Sequence, residues 1–382
     1  MTTSQLRVAL FSGNYNYVRD GANQALNRLV GFLMREGVSV RVYSPTTDTP
    51  AFAPVGDLVS LPSRAFPGRG EYRFPLGISQ DVLADIDGFG PNLIHVSSPD
   101  VSAHAATRYA KRNGLPIVAS VHTRFDTYPR YYGLTFLEPI LRATLRRFYR
   151  RCAALLAPSE SFAAVLREQR MNDDIGIWAR GIDKAIFNPG RRDDGWRATL
   201  GIAPDDVVIG FLGRLVMEKG LDVFSDAIDA LAFRGVAHRV LVIGEGPARE
   251  WFESRLPQAV FAGFQAGADL GRAVASMDML FNPSITETFG NVTLEAMACG
   301  MPVVAARATG SENLVQDGVT GRLVNPTDIT GYAGALARYC EDPALRTTHG
   351  SAGLAASAPY DWDAINQVVL DTYHRVLRVA PD

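Results

Sequence analysis

Short apolar runs separated by amphipathic stretches of helical period follow one another from one end of the chain to the other. Leu6–Phe11 is apolar except for Arg7, the pattern of a strand covered on both faces. Gly21–Glu36 then sets Ala22, Leu26, Leu29, Val30 and Leu33 on one helical face, and Gly37 ends the repeat. Val38–Tyr43, Leu93–Val96, Ile117–Val121 and Leu155–Ala157 repeat the strand signal, each parted from the next by a helical stretch. Strand and helix in alternation predict a parallel sheet with helices on both faces.

The pattern then starts afresh. Val207–Leu215 and His238–Gly246 read as strands, and Lys219–Phe233 and Pro247–Arg255 as helices. Pro247 is expected in a first turn, where its missing N–H is harmless. Val260-Phe261, Met279–Phe281 and Val303–Ala305 continue the series, and the polar, Gly- and Pro-bearing stretch Asn188–Trp196 marks the boundary between the two halves. Trp362–Leu377 carries Ile365, Val368, Val369, Tyr373 and Val376 at helical spacing and is expected to cross back onto the first domain. The fold class is α/β with two Rossmann-like parallel-sheet domains, residues 1–185 with 360–382 and residues 186–359. A ligand cleft is expected between them, because open parallel sheets receive ligands at the carboxyl ends of their strands.

Composition narrows the function classes. The chain is 47% hydrophobic and 20% charged with a net charge of −2, so no global basic field points to nucleic acid. Cys152, Cys299 and Cys340 are far apart and in no metal-ligand spacing, which suits small buried residues in a reducing compartment. The apolar run near the N-terminus is too short for a signal-peptide core, and no window reaches the ~18 apolar residues of a membrane span. A cytoplasmic location is expected, with peripheral attachment to the inner face of the cell membrane left open.

Candidate chemistry collects where strands end. In Gly213–Gly220, written GRLVMEKG, Arg214 and Lys219 flank a turn at a helix start, and two cations there make an anion site. The plainer reading, a solvated loop, is as good from that stretch alone. Gly244–Arg249, GEGPAR, has only two glycines of a dinucleotide fingerprint, and a tight turn entering a helix explains it equally well. In Ser284–Gly300, SITETFGNVTLEAMACG, seven residues separate Glu287 from Glu295, with Gly290-Asn291 in the middle. A helix beginning near Asn291 would present free N–H groups, Gly290 would let backbone approach closely, and both carboxylates suit sugar hydroxyls. Backbone N–H groups for phosphate and carboxylates for hydroxyls together describe a nucleotide-sugar.

In the first half, His122 stands after the Ile117–Val121 strand, where active-site residues collect, although a structural histidine fits the same place. The loop Ser12–Gln24 carries Gly13, Asp20 and Gly21, whose amide could face a phosphate. Arg142, Arg146, Arg147, Arg150 and Arg151 spread over roughly half the circumference of one helix, with Phe125, Tyr128, Tyr131 and Tyr132 just upstream. That surface is either a solvated face or a contact for anionic lipid headgroups.

The motifs SITETFGNVTLEAMACGMPVVA, GRLVMEKG, GEGP, and RGID followed by FNP resemble glycosyltransferase family 4 in the same order, over nearly the whole chain. That resemblance implies the GT-B fold, two Rossmann-like domains facing across a cleft, and a retaining glycosyltransferase. It would move a hexose or hexuronic acid from a UDP-sugar or GDP-mannose to a lipid or glycan acceptor, with no cofactor and no metal. It implies that Arg214 and Lys219 hold the donor diphosphate and Glu295 the ribose. Glu287 with the amides of Phe289, Gly290 and Asn291 would hold the sugar, His122 would sit beside the reacting carbon, and Gly21 would approach the phosphates. His122, Glu287, Arg214 and Lys219 form the expected catalytic set, and Gly213, Gly244, Gly246, Gly263, Phe264, Thr288 and Val292 complete the donor-binding one. Asn14, Asp20, Arg124, Tyr128 and Tyr131 are the acceptor-binding candidates.

The first-half stretches are more similar to the branch with GDP-mannose-dependent mannosyltransferases and the sulfoquinovosyl or glucuronosyl transferases acting on lipids. Arg124 or Arg180 is a candidate partner for an acidic sugar. Two other classes remain as alternatives, a nucleotide-sugar-binding oxidoreductase or epimerase and a non-catalytic sugar-nucleotide-binding module. The missing third glycine after Gly246 speaks against the first, and the joint presence of Arg214, Lys219, Glu287 and Glu295 against the second.

Overall fold

Each apolar run of the first half becomes a strand of one parallel sheet in the computed structural model, which describes residues 2–18, 20–66, 69–123, 125 and 135–379. The strands are β1 Arg7–Phe11, β2 Ser39–Ser44, β3 Asp57–Ser60, β6 Leu93–Val96, β7 Ile117–Ser120, β8 Ala154–Ala157 and β9 Ile175–Ile177; β4 Ser63–Phe66 and β5 Arg69–Pro75 form a separate antiparallel ribbon. The sheet order is β3-β2-β1-β6-β7-β8-β9. Val8, Leu10, Leu93 and Ile94 are fully buried, the reason these strands show no alternation in sequence. The second half forms a six-stranded sheet, β12-β11-β10-β13-β14-β15, from β10 Val208–Leu212, β11 Arg239–Ile243, β12 Val260–Gly263, β13 Met279–Asn282, β14 Val303–Ala306 and β15 Gly321–Val324. All its pairings are parallel.

The chain divides into two units, Met1–Arg180 with Trp362–Asp382, and Gly181–Asp361. The second has an aromatic centre in which Phe224 stacks on Phe281 with centroids 4.8 Å apart, edged by Phe211 and Phe252. The last helix, Trp362–Val379, belongs to the first unit and packs on helix Gly21–Arg35, β8 and β9. Buried polar contacts fix it there: Trp178 Nε1–H donates to Asn366 Oδ1 at 3.0 Å, and Tyr373 Oη meets His95 Nδ1. His95 Nε2 lies 2.9 Å from Ser120 Oγ, and full burial pulls the His95 pKa down to about 3, so the ring is neutral in this network.

Two local expectations change. The helix expected from Pro247 begins at Arg249, because the preceding turn is tied to the first loop: Leu215 N–H donates to Glu245 O, and Ala248 N–H to Leu215 O. The helix expected from Lys219 begins at Leu221, and Lys219 instead closes a single 3₁₀ turn, Met217–Lys219.

Both sheets reverse direction once, between β1 and β6 in the first and between β10 and β13 in the second. Neighbouring strands there send their chains to opposite faces, so their loops part and leave an opening.

Candidate functional site

The second unit's opening is lined by the loops after β10 and β13. The β10 loop carries Gly213, Arg214 and the turn ending at Lys219, and the β13 loop runs through Glu287 to Gly290. The loops are fastened together: Thr286 Oγ1–H donates to Glu218 O at 3.2 Å, and Lys219 Nζ donates to Glu287 Oε1 at 2.6 Å. The side chains of that ion pair are only 28% and 17% exposed. Arg214 is exposed and has no side-chain partner among the described residues.

Four helices of the first unit start on side-chain caps: Asp20, Ser79, Asp100 and Ser159 each accept a first-turn N–H. The two helices entering the second unit's opening do not. Leu221–Phe233 starts at Gly220 (φ +75°) and Asn291–Ala298 at Gly290 (φ +99°), neither with a side-chain cap. Left-handed backbone there needs glycine, and a cap residue is thereby given up. The first-turn N–H groups are left for an external anion, with the positive end of the helix dipole behind them. Among the described residues Asn291 Oδ1 is buried there without a partner.

Glu287 is placed from behind by the segment after β14. Thr309 Oγ1–H donates to Glu287 O at 3.0 Å, and a Cβ on Gly310 would stand 2.8 Å from that same oxygen. Thr288 and Val292 lie half-buried on either side of Phe289 and Gly290. Phe289 is buried with its ring edge-on to Tyr360 at 5.8 Å. Glu295 sits one turn further into the helix. Part of it stays open to solvent, yet loss of water around the carboxyl, and then the charge of Glu287, push its pKa up to about 8. It therefore carries a proton at neutral pH.

The GEGP glycines have a packing reason. Side chains at Gly244 and Gly246 would collide with the carbonyls of Gly213 and Leu215. They let the β11 loop lie against the β10 loop that carries Arg214. Gly263 closes β12, where its carbonyl accepts the Gly244 N–H at 2.9 Å, and Phe264 beyond it is 63% exposed, a flat apolar face free to stack.

In the first unit the loops at the corresponding place are tied by their own polar groups. Gly13 N–H donates to Ser98 Oγ at 2.9 Å, Val18 N–H donates to Asn14 Oδ1 at 3.3 Å, and Ser12 Oγ–H donates to the Asn14 carbonyl. Asp20 caps the helix that Gly21 begins. Its surroundings raise its pKa by desolvation, against the pull of the Asn23 and Ala22 N–H groups and of Arg180. His122 follows β7. Its Nδ1 lies 2.8 Å from Arg180 Nη2, and Arg180 Nη1 donates to the carbonyls of Trp178 and Ala179. Arg180 is therefore turned inward and 5% exposed, so the expectation that it pairs with an acidic sugar gives way to a role beneath His122. Arg124, Tyr128, Tyr131 and Tyr132 lie outside the described residues.

Helix Glu138–Tyr149 carries Arg142, Arg146 and Arg147, with Arg150 as its C-cap and Arg151 just beyond. Arg142 pairs with Glu138 at 3.8 Å, and Arg150 Nε donates to Arg170 O at 3.1 Å. Arg147 and Arg151 are exposed, and Phe136 and Ile140 at the start of the helix are more than half exposed. No helix among the described residues is long and apolar enough to cross a membrane.

Comparison with known proteins bears on this geometry. The family model for Glycosyltransferase Family 4 matches residues 19–185, and that for Glycosyl transferases group 1 matches residues 206–342. A GDP-mannose-dependent alpha-mannosyltransferase from Mycolicibacterium smegmatis is 31% identical over 97% of this chain and 98% of its own. The chain belongs to glycosyltransferase family 4. Sulfoquinovosyl transferase SQD2 from Arabidopsis thaliana is 33% identical over 79% of this chain and 60% of its own length. Sucrose-phosphate synthase from Thermosynechococcus elongatus superposes with a TM-score of 0.79 at 21% identity, covering 98% of this chain and all of that one, which fixes the GT-B fold of two Rossmann-like domains. This family 4 enzyme is thus a glycosyltransferase that takes its sugar from a nucleotide-sugar donor.

Sequence reasoning missed Thr309 and Gly310, which hold the glycosyltransferase's Glu287, and Gly220, which starts an uncapped helix. The run Ala308-Thr-Gly-Ser311 directly after a strand was the available signal, since small residues there mark close backbone approach. The Glu295 proton gives a test that needs no substrate. A carboxyl with a raised native pKa holds a proton that the unfolded chain has released, so its contribution to stability falls as pH rises from about 4.5 to about 8. In urea unfolding, Glu295→Gln should therefore gain on the wild type over that interval. Parallel stability–pH curves would show that Glu295 is ionised in the native protein.

Proposed function

We propose that the enzyme transfers a hexose or hexuronic acid with retention of configuration, without a metal, to a lipid or glycan acceptor. The observation that carries this reading is the Gly290–Asn291 helix start, uncapped by any side chain, near an Arg214 unpaired among the described residues and a Lys219 that Glu287 holds in place. A diphosphate placed there would receive helix N–H groups, the Lys219 ammonium and the Arg214 guanidinium. Glu287 and Glu295 would accept from sugar and ribose hydroxyls, and Phe264 offers a face to the base. Breaking the anomeric carbon–oxygen bond sends its electron pair to the diphosphate. Charge developing there meets donors already in place, the largest source of rate in such sites. The sugar becomes oxocarbenium-like, the acceptor oxygen bonds from the face the phosphate is leaving, and the acceptor proton passes to a phosphate oxygen. With three positive sources at the diphosphate, a divalent cation has no task there. His122 would donate a hydrogen bond to the sugar.

UDP-glucose, UDP-glucuronate, UDP-galactose and GDP-mannose, each with and without EDTA, test the donor side. One donor should be hydrolysed or transferred equally in both conditions, and Lys219→Ala should lower kcat about 10²–10³-fold. Loss of turnover in EDTA would refute metal independence, and an unimpaired Lys219→Ala enzyme would remove Lys219 from the diphosphate.

A lipid acceptor accords with the arginine helix. Its exposed Arg147 and Arg151, with Phe136 and Ile140 beside them, suit an anionic bilayer surface, where each cation contributes about 1 kcal/mol. Sedimentation should show binding to vesicles rich in anionic lipid that weakens in salt and in the double variant Arg147→Glu, Arg151→Glu. Equal binding to zwitterionic vesicles would contradict this reading.

A further inference from the structure

We propose that Arg180 is a positioning residue whose guanidinium fixes His122 as a neutral imidazole with its proton on Nε2, so that the ring serves the reaction as a hydrogen-bond donor and not as a base. The part that concerns the reaction rests on the reading above, in which His122 meets the sugar. The part that concerns the tautomer rests on the geometry of the first unit alone.

A guanidinium has five N–H donors and no acceptor. Its Nη2 lies 2.8 Å from His122 Nδ1, so Nδ1 must present its lone pair. The proton of a neutral ring is then on Nε2. A doubly protonated ring would set N–H against N–H and one cation against another.

Arg180 has little freedom to turn away. Nη1 is held by Trp178 O at 3.2 Å and Ala179 O at 3.1 Å, and the guanidinium carbon lies 5.1 Å from the centre of the Trp178 ring. Trp178 is itself fully buried and anchored to Asn366, and its ring meets His122 edge-on at 5.4 Å. The support therefore runs from the last helix through Trp178 and Arg180 to the histidine.

The other charged and titratable groups agree. Burial, then Arg180, then His95 hold the His122 pKa well below the usual histidine value. His95 is itself neutral between Tyr373 and Ser120. Burial lowers the Arg180 pKa, with Asp20 opposing it, only to about 10, so Arg180 stays charged at neutral pH.

The consequence is chemical. As the anomeric bond breaks, positive charge grows on the sugar ring. A neutral N–H donor can hold a sugar oxygen without repelling that charge, whereas an imidazolium would oppose it. A basic Nε2 would have no proton to take, since the acceptor proton goes to the departing phosphate.

Histidine ¹⁵N NMR of the wild-type protein decides the tautomer without any substrate. His122 should show a protonated Nε2 and a bare Nδ1, with no titration between pH 5.5 and 8. Arg180→Met should let the ring titrate in that window and mix its tautomers. Arg180→Lys, which also only donates, should restore the wild-type pattern. In transfer assays Arg180→Met should lose tenfold or more in kcat with a smaller change in donor KM, and Arg180→Lys should recover most of it. A wild-type His122 protonated on Nδ1, or an Arg180→Met spectrum like the wild type, would overturn the proposal whether or not that variant is well folded. A changed spectrum with an unchanged kcat would overturn the catalytic half. A wild-type enzyme that transfers no sugar would refute the retaining-transferase reading and leave the spectroscopic result for Arg180 standing.

Discussion

Lys219 and Glu287 meet at 2.6 Å across the gap where the second sheet changes direction, and the surrounding loops are built to keep them there. The sheet order forces the β10 and β13 loops apart, so something has to span the opening. A half-buried lysine or glutamate alone would be costly, because either charge would have lost water without gaining a partner. Together they are tolerable and hold each other in place. Thr309 and Gly310 fix the glutamate from behind, and Thr286 ties its loop to the turn that ends in the lysine. The pair keeps the cation aimed where a diphosphate is proposed to arrive.

One topology occurs twice in the chain and is used in two ways. The first unit caps the helices after β1 and β6 with Asp20 and Asp100 and ties the loop after β1 with its own hydrogen bonds, from Gly13 to Ser98 and from Val18 to Asn14. The second starts the corresponding helices on glycine and leaves their first-turn donors uncapped. The helix starts without side-chain caps at these two places therefore lie in the second unit, where the diphosphate is proposed to bind. The first unit holds His122 against Arg180.

Most of the fold was legible because both sheets are buried on both faces, so their strands are bare apolar runs that contrast with the helices between them. The last helix was legible as a helix from the spacing of Ile365, Val368, Val369, Tyr373 and Val376. The helix start at Asn291 could be read because Gly290 is a local signal. What escaped depended on contacts between distant segments. Gly310 is needed because of Glu287, 23 residues earlier, and Gly244 because of the Gly213 carbonyl; the glycines show in the sequence, but the partners that require them do not. Arg180 invited a ligand role because an isolated arginine in a motif shows charge and hides direction. Its guanidinium is turned to His122, 58 residues away in sequence. Pro247 misleads for the same reason, since a backbone tie to Leu215 delays the helix.

The most direct measurement is a crystal structure of the enzyme with UDP or GDP bound. The account requires the diphosphate to lie within hydrogen-bond reach of Lys219 Nζ, Arg214 and the N–H groups at Gly290–Asn291, with the ribose at Glu295. A nucleotide bound elsewhere, or one that leaves the Lys219–Glu287 pair and the uncapped helix start without contact to phosphate, would contradict it.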